Sequence, residues 1–373
     1  MIKLNLTLRR LISRPVTTLR KHRKIIKKIP LINGDVWRNA KKEENYASLY
    51  EDYAVDFGAM IAAPRRKIGL ISLPDDAAKF YFEKSCRELE IDFQFFNPLS
   101  KDFIRNIKDS NIADFLTRPT NKTQLLRQMF FEKLEIVSND LKRNLHPSLA
   151  EQKIYEAKRV LAYFLDANCI PHPRTWVFYD KEEAVEFLST ASLPLVFKAH
   201  NGASAQGVEI INTRHQGRKL INACFDHYYI NKALSDYRDI DYGYVILQEF
   251  LEDIKEHRII KIGDSWMGHQ KALSAGSHFM SGSGITLWTA PPVAAFDFCR
   301  EIAQKHGFST MCFDVFESNS KRLLVNELQT WFGSYNPSQM YINGIPGRFV
   351  FRNGHYSFER GLFNHNQGLS LRI

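Results

Sequence analysis

The sequence predicts a protein of mixed α/β and α+β type: a small α/β lobe, then a larger lobe of strands and helices, framed by a basic N-terminal arm and a C-terminal β-hairpin. Three features predict this. KIGLISL at 67–73, AAKFYFEKSCRELEI at 77–91 and DFQFFNP at 92–98 run apolar, amphipathic, apolar, which is the pattern of a β-α-β unit. After residue 170, strand-like runs return at short intervals with helical stretches between some of them. Near the end, GRFVFR and HYSFERG flank Asn353-Gly354, a dipeptide suited to a two-residue hairpin turn.

Taken in order, residues 100–165 read mainly as helix. Strands are expected over 169–178 and 193–200, with a helix over 180–190 between them. Further strands fall at 208–212, 244–251, 257–271, 310–317 and 322–329, with helices near 216–235 and 292–306. The polar link at 318–321 makes the last two strands a hairpin. The chain then divides into an extension (1–65), an α/β lobe (66–140), a main lobe (141–345) and a hairpin tail (346–373).

Hydrophobic residues make up 44% of the 373 and charged residues 25%, which supplies a sizeable core and excludes disorder for most of the chain. The net charge of +10 is localised. Residues 1–30 hold ten Lys/Arg and no Asp/Glu, so the remainder carries 41 basic and 41 acidic residues. A nucleic-acid surface on the folded body is therefore not expected. Within the arm, Leu4, Leu8 and Leu11 stand at helical spacing and Pro15 interrupts them. That suits peripheral contact with an anionic membrane or an acidic glycan; a solvated arm and a transit peptide share the composition. Cys86, Cys169, Cys224, Cys299 and Cys312 show no C-x-x-C spacing, which points to reduced thiols in the cytoplasm. No apolar run reaches the roughly 20 residues of a membrane span.

Chemistry is concentrated in three places. Lys198-Ala-His-Asn-Gly-Ala-Ser-Ala-Gln-Gly207 runs from a strand end into small residues whose backbone and hydroxyl groups suit phosphate oxygens. It matches neither G-x-x-x-x-G-K-[ST] nor G-x-G-x-x-G, and alone it is an ordinary polar loop. Asp314 in MCFDVFE, with Glu327 and Gln329 in LLVNELQ, puts carboxylates and an amide near one face. A turn near Ser320 sets Asp314 opposite Val325, one diagonal step from Glu327. Such oxygens suit magnesium with bound phosphate, although a bare hairpin carries acids for solubility just as often. Tyr244-Val-Ile-Leu-Gln-Glu-Phe-Leu251 is an apolar strand ending in a polar pair; by itself a core strand, it can offer backbone groups to an adenine edge while its apolar side chains flank the ring.

Taken together, Lys158, IPHPRT, LPLVFKAHNGASAQGV, VILQEFLEDIKEHR, CFDVFE and VNELQ resemble ATP-grasp ligases over residues 66–340. The branch is the one holding D-alanine–D-alanine ligases, glutathione synthetases and ribosomal-protein glutamate ligases. The resemblance implies ATP and Mg2+ as cofactors. It implies that Lys158 and Lys198 contact phosphates and adenine, and that Gly202, Ser204 and Gly207 lie in the loop covering the phosphates. It also implies an adenine hinge at Gln248, Glu249 and Leu251, a ribose contact at Glu256, and metal binding at Asp314, Glu327 and Gln329, with Gln329 in place of the usual Asn.

Two departures stand out. Where the family carries an arginine that stabilises the acyl group, this chain has His269, Gln270 and Lys271, so Lys271 or Arg258 is expected to serve. The small-residue ending after the metal strand is replaced by Thr330-Trp-Phe-Gly-Ser-Tyr, which changes the acceptor pocket. The implied reaction is amide formation between a small-molecule acid and an amine through an acylphosphate, releasing ADP. The basic arm and aromatic tail resemble ATP-grasp proteins of surface-polysaccharide assembly. A small-molecule kinase, a non-catalytic nucleotide-binding scaffold and a homodimer are the other outcomes compatible with the resemblance.

Overall fold

The computed structural model describes residues 51–60, 67–120, 122–202, 206–230, 239–272, 290–333 and 339–373, together with the backbone of Thr286–Leu287. The chain divides into Met1–Lys42 and Glu43–Ile373, and every element below belongs to the second unit. The basic segment 1–30 lies outside the described residues.

The first lobe alternates β1 (Ile68–Ile71), α1 (Ala77–Glu88), β2 (Phe93–Phe96), α2 (Phe103–Asp109), β3 (Asp114–Thr117), α3 (Gln124–Glu135), β4 (Asn144–His146) and α4 (Leu149–Lys153). The strands form a parallel sheet in the order β2-β1-β3-β4. Side-chain caps start the helices: Asp76 accepts from the Ala78 N–H and Thr123 from the Leu126 N–H. The stretch 100–165 holds more strand than its helical reading predicts. β3 and β4 are four and three residues long, too short for a period of two to stand out against flanking helices. The sheet therefore continues past residue 140.

Gly69 in β1 sits opposite Phe115 of β3. A Cβ at Gly69 would lie 2.3 Å from the Phe115 ring, so the absent side chain is what lets this fully buried ring pack over the strand.

The second layer contains α5 (Lys158–Ala167), β5 (Thr175–Phe178), α6 (Lys181–Thr190), β6 (Leu195–Lys198), β7 (Val208–Ile211), α7 (Arg214–Asn222), β8 (Tyr229–Ile230), β9 (Ile240–Asp241) and β10 (Val245–Glu249). Its antiparallel sheet runs β5-β10-β6-β7, and β8 pairs with β9. The helix expected over 216–235 is shorter. A capping box of Thr213 and Gln216 starts α7, a π turn over Ala223–His227 ends it, and the aromatic Tyr229 enters β8. Residues 231–238 of that expectation lie outside the described residues.

The third layer is an eight-stranded sheet. It contains β11 (Lys255–Ile262), β12 (Ser265–Lys271), β13 (Thr286–Leu287), β14 (Thr310–Glu317), β15 (Leu323–Gln329), β16 (Met340–Ile342), β17 (Ile345–Arg352) and β18 (His355–Arg360), with α8 (Val293–His306) and α9 (Leu369–Arg372). The order is β15-β14-β11-β12-β17-β16, with β13 on β12 and β18 on β17. α8 follows Pro292 and stops at Gly307, whose φ of 65° closes the helix in the left-handed region. Asn353 and Gly354, with φ of 50° and 81°, make the expected tight turn between β17 and β18. Among the described residues no helix is long and apolar enough to cross a membrane.

Glu151 ties the first lobe to the third layer. Its Oε2 accepts from the Ser148 N–H (2.7 Å), completing the cap of α4, and its Oε1 accepts from the N–H groups of Ser309 (2.7 Å) and Thr310 (2.8 Å) at the start of β14. Filling the Gly69 gap should be felt as overpacking. Gly69→Ala is expected to lower stability by about 1–3 kcal/mol, read as a fall in the thermal midpoint. An unchanged midpoint would show that the Phe115 ring can move aside.

Candidate active site

Strands of two sheets and the start of one helix bring the site together. β6 ends on Lys198, α5 begins with Lys158, β11 carries Glu256 and Arg258, β12 ends on Lys271, β14 carries Asp314, and β15 carries Glu327 and Gln329. Antiparallel pairing sets Arg258 opposite Asp314 and Glu256 opposite Lys271.

Asp314 is 1% exposed and is gripped from two strands. Arg258 forks onto it, Nε to Oδ1 at 2.9 Å and Nη2 to Oδ2 at 2.8 Å, and Lys271 Nζ reaches Oδ2 at 2.8 Å. The same ammonium donates to Glu256 Oε1 at 2.5 Å. Burial pushes the Asp314 carboxyl up, but Arg258 and Lys271 outweigh it and hold the group well below the usual carboxylate range.

The β14–β15 hairpin differs from the simple register expected for it. Asp314 faces Glu327 directly while Val315 faces Val325, so Asn326 is an extra residue in a bulge. A bulge re-aims neighbouring side chains, and both Asn326 and Glu327 meet lysines here. Lys198 Nζ donates to Asn326 Oδ1 at 3.0 Å, bridging the second and third layers. Lys158 Nζ lies 3.8 Å from Glu327 Oε1 and donates to the Gly202 carbonyl. Burial, partly offset by Glu327, brings the Lys198 ammonium down to about 8, with Lys158 adding to the fall.

Glu156 was not singled out from the sequence, yet it stands in this cluster. It is 4% exposed, Gln329 Nε2 donates to its Oε1 at 3.4 Å, and its Oε2 has no hydrogen-bond partner. Burial raises its carboxyl, Lys158 opposes that, and Glu327 reinforces it. A buried carboxylate oxygen without a partner, beside a second carboxylate, is short of a cation. Its φ of 47° places it on a tight turn just before α5. Two positions from Lys158, it carried no pattern of its own by which to be found.

The remaining expected residues occupy two neighbourhoods. Gln248 is held in β10, with Nε2 donating to Thr175 Oγ1 at 2.8 Å, and Glu249 is taken by Arg174, from N at 2.7 Å and Nε at 2.8 Å. Leu251 lies two residues beyond the end of β10. Glu256 lies in the buried cluster, accepting from Lys271. Gly202 and Gly207, with φ of 139° and 73°, border the loop after β6, and Ser204 lies outside the described residues. His200 is structural: Nδ1 accepts from the Arg159 N–H at 3.3 Å and Nε2 lies 3.2 Å from Arg127 Nη2. Burial and the cations Arg127, Arg159 and Lys158 keep it neutral, pushed down to about 2.

No protein-family model matches the sequence, and no curated protein matches it. Solved structures do. An ADP complex of purK, N5-carboxyaminoimidazole ribonucleotide synthetase, superposes with a TM-score of 0.53 at 13% identity, over 78% of this chain and 82% of that one. The ATP-grasp ligase PsnB, complexed with a phosphomimetic variant of its minimal precursor, Mg and ADP, gives a TM-score of 0.50 at 13% identity, over 74% of this chain and 95% of that one. The chain has the ATP-grasp fold. The small parallel lobe and the antiparallel layers match the architecture that the sequence resemblance implies.

Among the lysines of this cluster Lys198 is the one whose titration is displaced toward neutral pH. Its pKa is lowered, so between about pH 8 and the ordinary lysine range the unfolded chain holds a proton that the folded chain has lost. Its contribution to stability therefore rises with pH across that window. Thermal midpoints measured from pH 7.5 to 10 should rise less steeply in Lys198→Met than in the unaltered protein. Equal slopes would mean that Lys198 keeps an ordinary pKa.

Proposed function

We propose that this protein is an ATP-dependent carboxylate–amine ligase, and the observation that carries the reading is the cluster at β14–β15. Lysines from α5 and β6 converge there on a bulged strand whose carboxylates lie beside a forked arginine. Lys158 and Lys198 would hold the phosphates of ATP in line, with Gly202, Ser204 and Gly207 over them. The strand end at Gln248, Glu249 and Leu251 would flank the adenine. Arg258 and Lys271, already side by side on Asp314, would face the charge that develops on the acyl group.

Among the described residues no three carboxylate, imidazole or thiolate side chains form a ready-made cation cluster, so magnesium would be held here by two carboxylates and an amide together with the nucleotide. Arg258 and Lys271 take three of the roughly four lone-pair directions of Asp314, leaving one on Oδ1. Glu327 lies directly opposite, and Glu156 Oε2 is unpartnered beside Gln329. Asp314, Glu327 and Gln329 would hold the ion, with phosphate oxygens of the nucleotide completing its coordination. Bound there, magnesium would neutralise charge on the phosphate oxygens.

A carboxylate oxygen of the acid attacks the γ-phosphorus, the bond to the bridging oxygen breaks, and ADP leaves. The amine then attacks the acyl carbon, phosphate departs, and the amine's proton passes to solvent. The chain's own groups position and stabilise; no side-chain nucleophile is needed.

Magnesium and ATP together should raise the thermal midpoint, since a ligand of the folded state at a hundredfold excess over Kd adds about 2.7 kcal/mol. Glu327→Ala should abolish the magnesium-dependent part. No shift at millimolar ATP would remove the nucleotide reading altogether. For residues 1–30 we keep the reading of contact with an anionic surface: their deletion should weaken cosedimentation with phosphatidylserine vesicles, and unchanged binding would dismiss it.

A further inference from the structure

Beside the metal strand the fold assembles a second cationic group that the ligase reading leaves unused. Arg118 follows β3 at its carboxyl end, where its N–H donates to the Ile71 carbonyl of the neighbouring strand at 2.8 Å. The carboxyl ends of parallel strands are where α/β sheets open to ligands. Arg372, in α9, comes from the far end of the chain. Both guanidiniums lie against one indole: the Arg118 Cζ is 5.0 Å from the Trp331 ring centroid and the Arg372 Cζ is 4.7 Å from it. Arg372 also lies 4.7 Å from the Phe332 ring.

Both guanidiniums have donors to spare. Arg118 Nη1 donates to the Tyr155 hydroxyl at 3.0 Å and to the Pro119 carbonyl at 3.5 Å, while its Nε stands 3.5 Å from Asp76 Oδ2 without a hydrogen bond. Arg372 Nη1 donates to the Thr330 carbonyl at 3.3 Å. Among the described residues, no hydrogen bond engages Nε or Nη2 of either arginine. On Arg372 those two nitrogens form the edge with which a guanidinium grips a carboxylate; on Arg118 Nε is sealed beside Asp76, which leaves Nη2 as the nitrogen to offer. All three side chains are half-buried rather than sealed from solvent. Burial and the nearby Arg118 both work against the Arg372 charge.

A closed circuit of contacts links this group to the proposed reaction centre. Gln329 reaches Glu156, Tyr155 adjoins Glu156 and accepts from Arg118, Arg118 lies on Trp331, and Trp331 is two residues beyond Gln329. An anion held by the arginines therefore sits next to the carboxylates and lysines where the acid would be activated.

We propose that Arg118 and Arg372, splayed on Trp331, clamp a carboxylate of the acid substrate, which is therefore a dicarboxylate: one carboxylate is held by the clamp and the other is presented for activation. The role as a substrate site rests on the ligase reading; the capacity to bind a carboxylate does not. The test is calorimetric titration of the full chain, without nucleotide, with succinate and glutarate against acetate and butyrate. The dicarboxylates should bind at least about tenfold more tightly than the monocarboxylates. Arg118→Gln and Arg372→Lys, the latter keeping charge and stem but losing the fork, should each weaken dicarboxylate binding about ten- to a hundredfold. Their magnesium–ATP binding should stay at the level of the unaltered protein, which also shows that they fold. Equal binding of mono- and dicarboxylates, or variants that bind succinate and glutarate normally, would overturn the clamp. Lost ATP binding with the dicarboxylate preference intact would instead remove the ligase reading and leave the clamp standing.

Discussion

The buried charge of Asp314 is the constraint around which the rest of the site is arranged. A carboxylate on the strand next to the edge of an eight-stranded sheet, 1% exposed, is tolerable only with cations held against it. Antiparallel register supplies one directly, since Arg258 stands opposite Asp314 on β11. The adjoining strand supplies the second, Lys271, which Glu256 in turn anchors. Removing one partner of such a group leaves an uncompensated buried charge, which costs about 3–5 kcal/mol. Three strands, β14, β11 and β12, are thereby held in one register by charge as well as by the ladder. The arrangement also makes the close approach of Glu327 tolerable: two carboxylates opposite one another repel unless one is already neutralised and a lysine attends the other.

The cluster is nearly balanced before any ligand arrives. Lys158, Lys198, Arg258 and Lys271 face Glu156, Glu256, Asp314 and Glu327. Within that balance the partners are unevenly shared. Arg258 and Lys271 are committed to carboxylates at hydrogen-bond distance, whereas Lys198 meets only the neutral amide oxygen of Asn326 and Lys158 stays 3.8 Å from Glu327. The two lysines drawn from the other elements are thus the ones with attraction left to offer a phosphate, and Glu156 is the acid with an oxygen left to offer a cation. On the proposed reading, the uneven sharing would separate a phosphate-holding side from an acyl-holding side.

What could be read in the sequence was what local pattern controls. The β-α-β start, the Asn353-Gly354 hairpin and the strands around Lys198, Asp314 and Glu327 announce themselves through periodicity and turn chemistry within a few residues. β3 and β4 did not, because three or four residues cannot display a period. The register of Asp314 against Glu327 did not, because a bulge at Asn326 depends on the neighbouring layer, where Lys198 holds the extra residue. Glu156 stayed hidden because nothing local distinguishes a catalytic-site carboxylate from a surface one until burial removes its partners. Arg118 and Arg372 are 254 positions apart in the chain, and only the assembled tertiary fold sets them on one indole.

Trp331 joins these two problems. β15 delivers Glu327 and Gln329 to the metal side and, two residues later, delivers an indole to the clamp, so one strand end sets both positions. A small residue there would free the backbone but leave two guanidiniums without the ring that supports them. Flexible arginines lose rotamer freedom on gripping an anion, and a ring that already orders them reduces that loss. The bulky sequence after the metal strand is therefore intelligible as a device that fixes where the substrate's far end is held. On the proposed reading the spacing between Gln329 and Trp331 would act as a ruler, with the bulge setting the reacting end and the indole, two residues beyond β15, setting the held end.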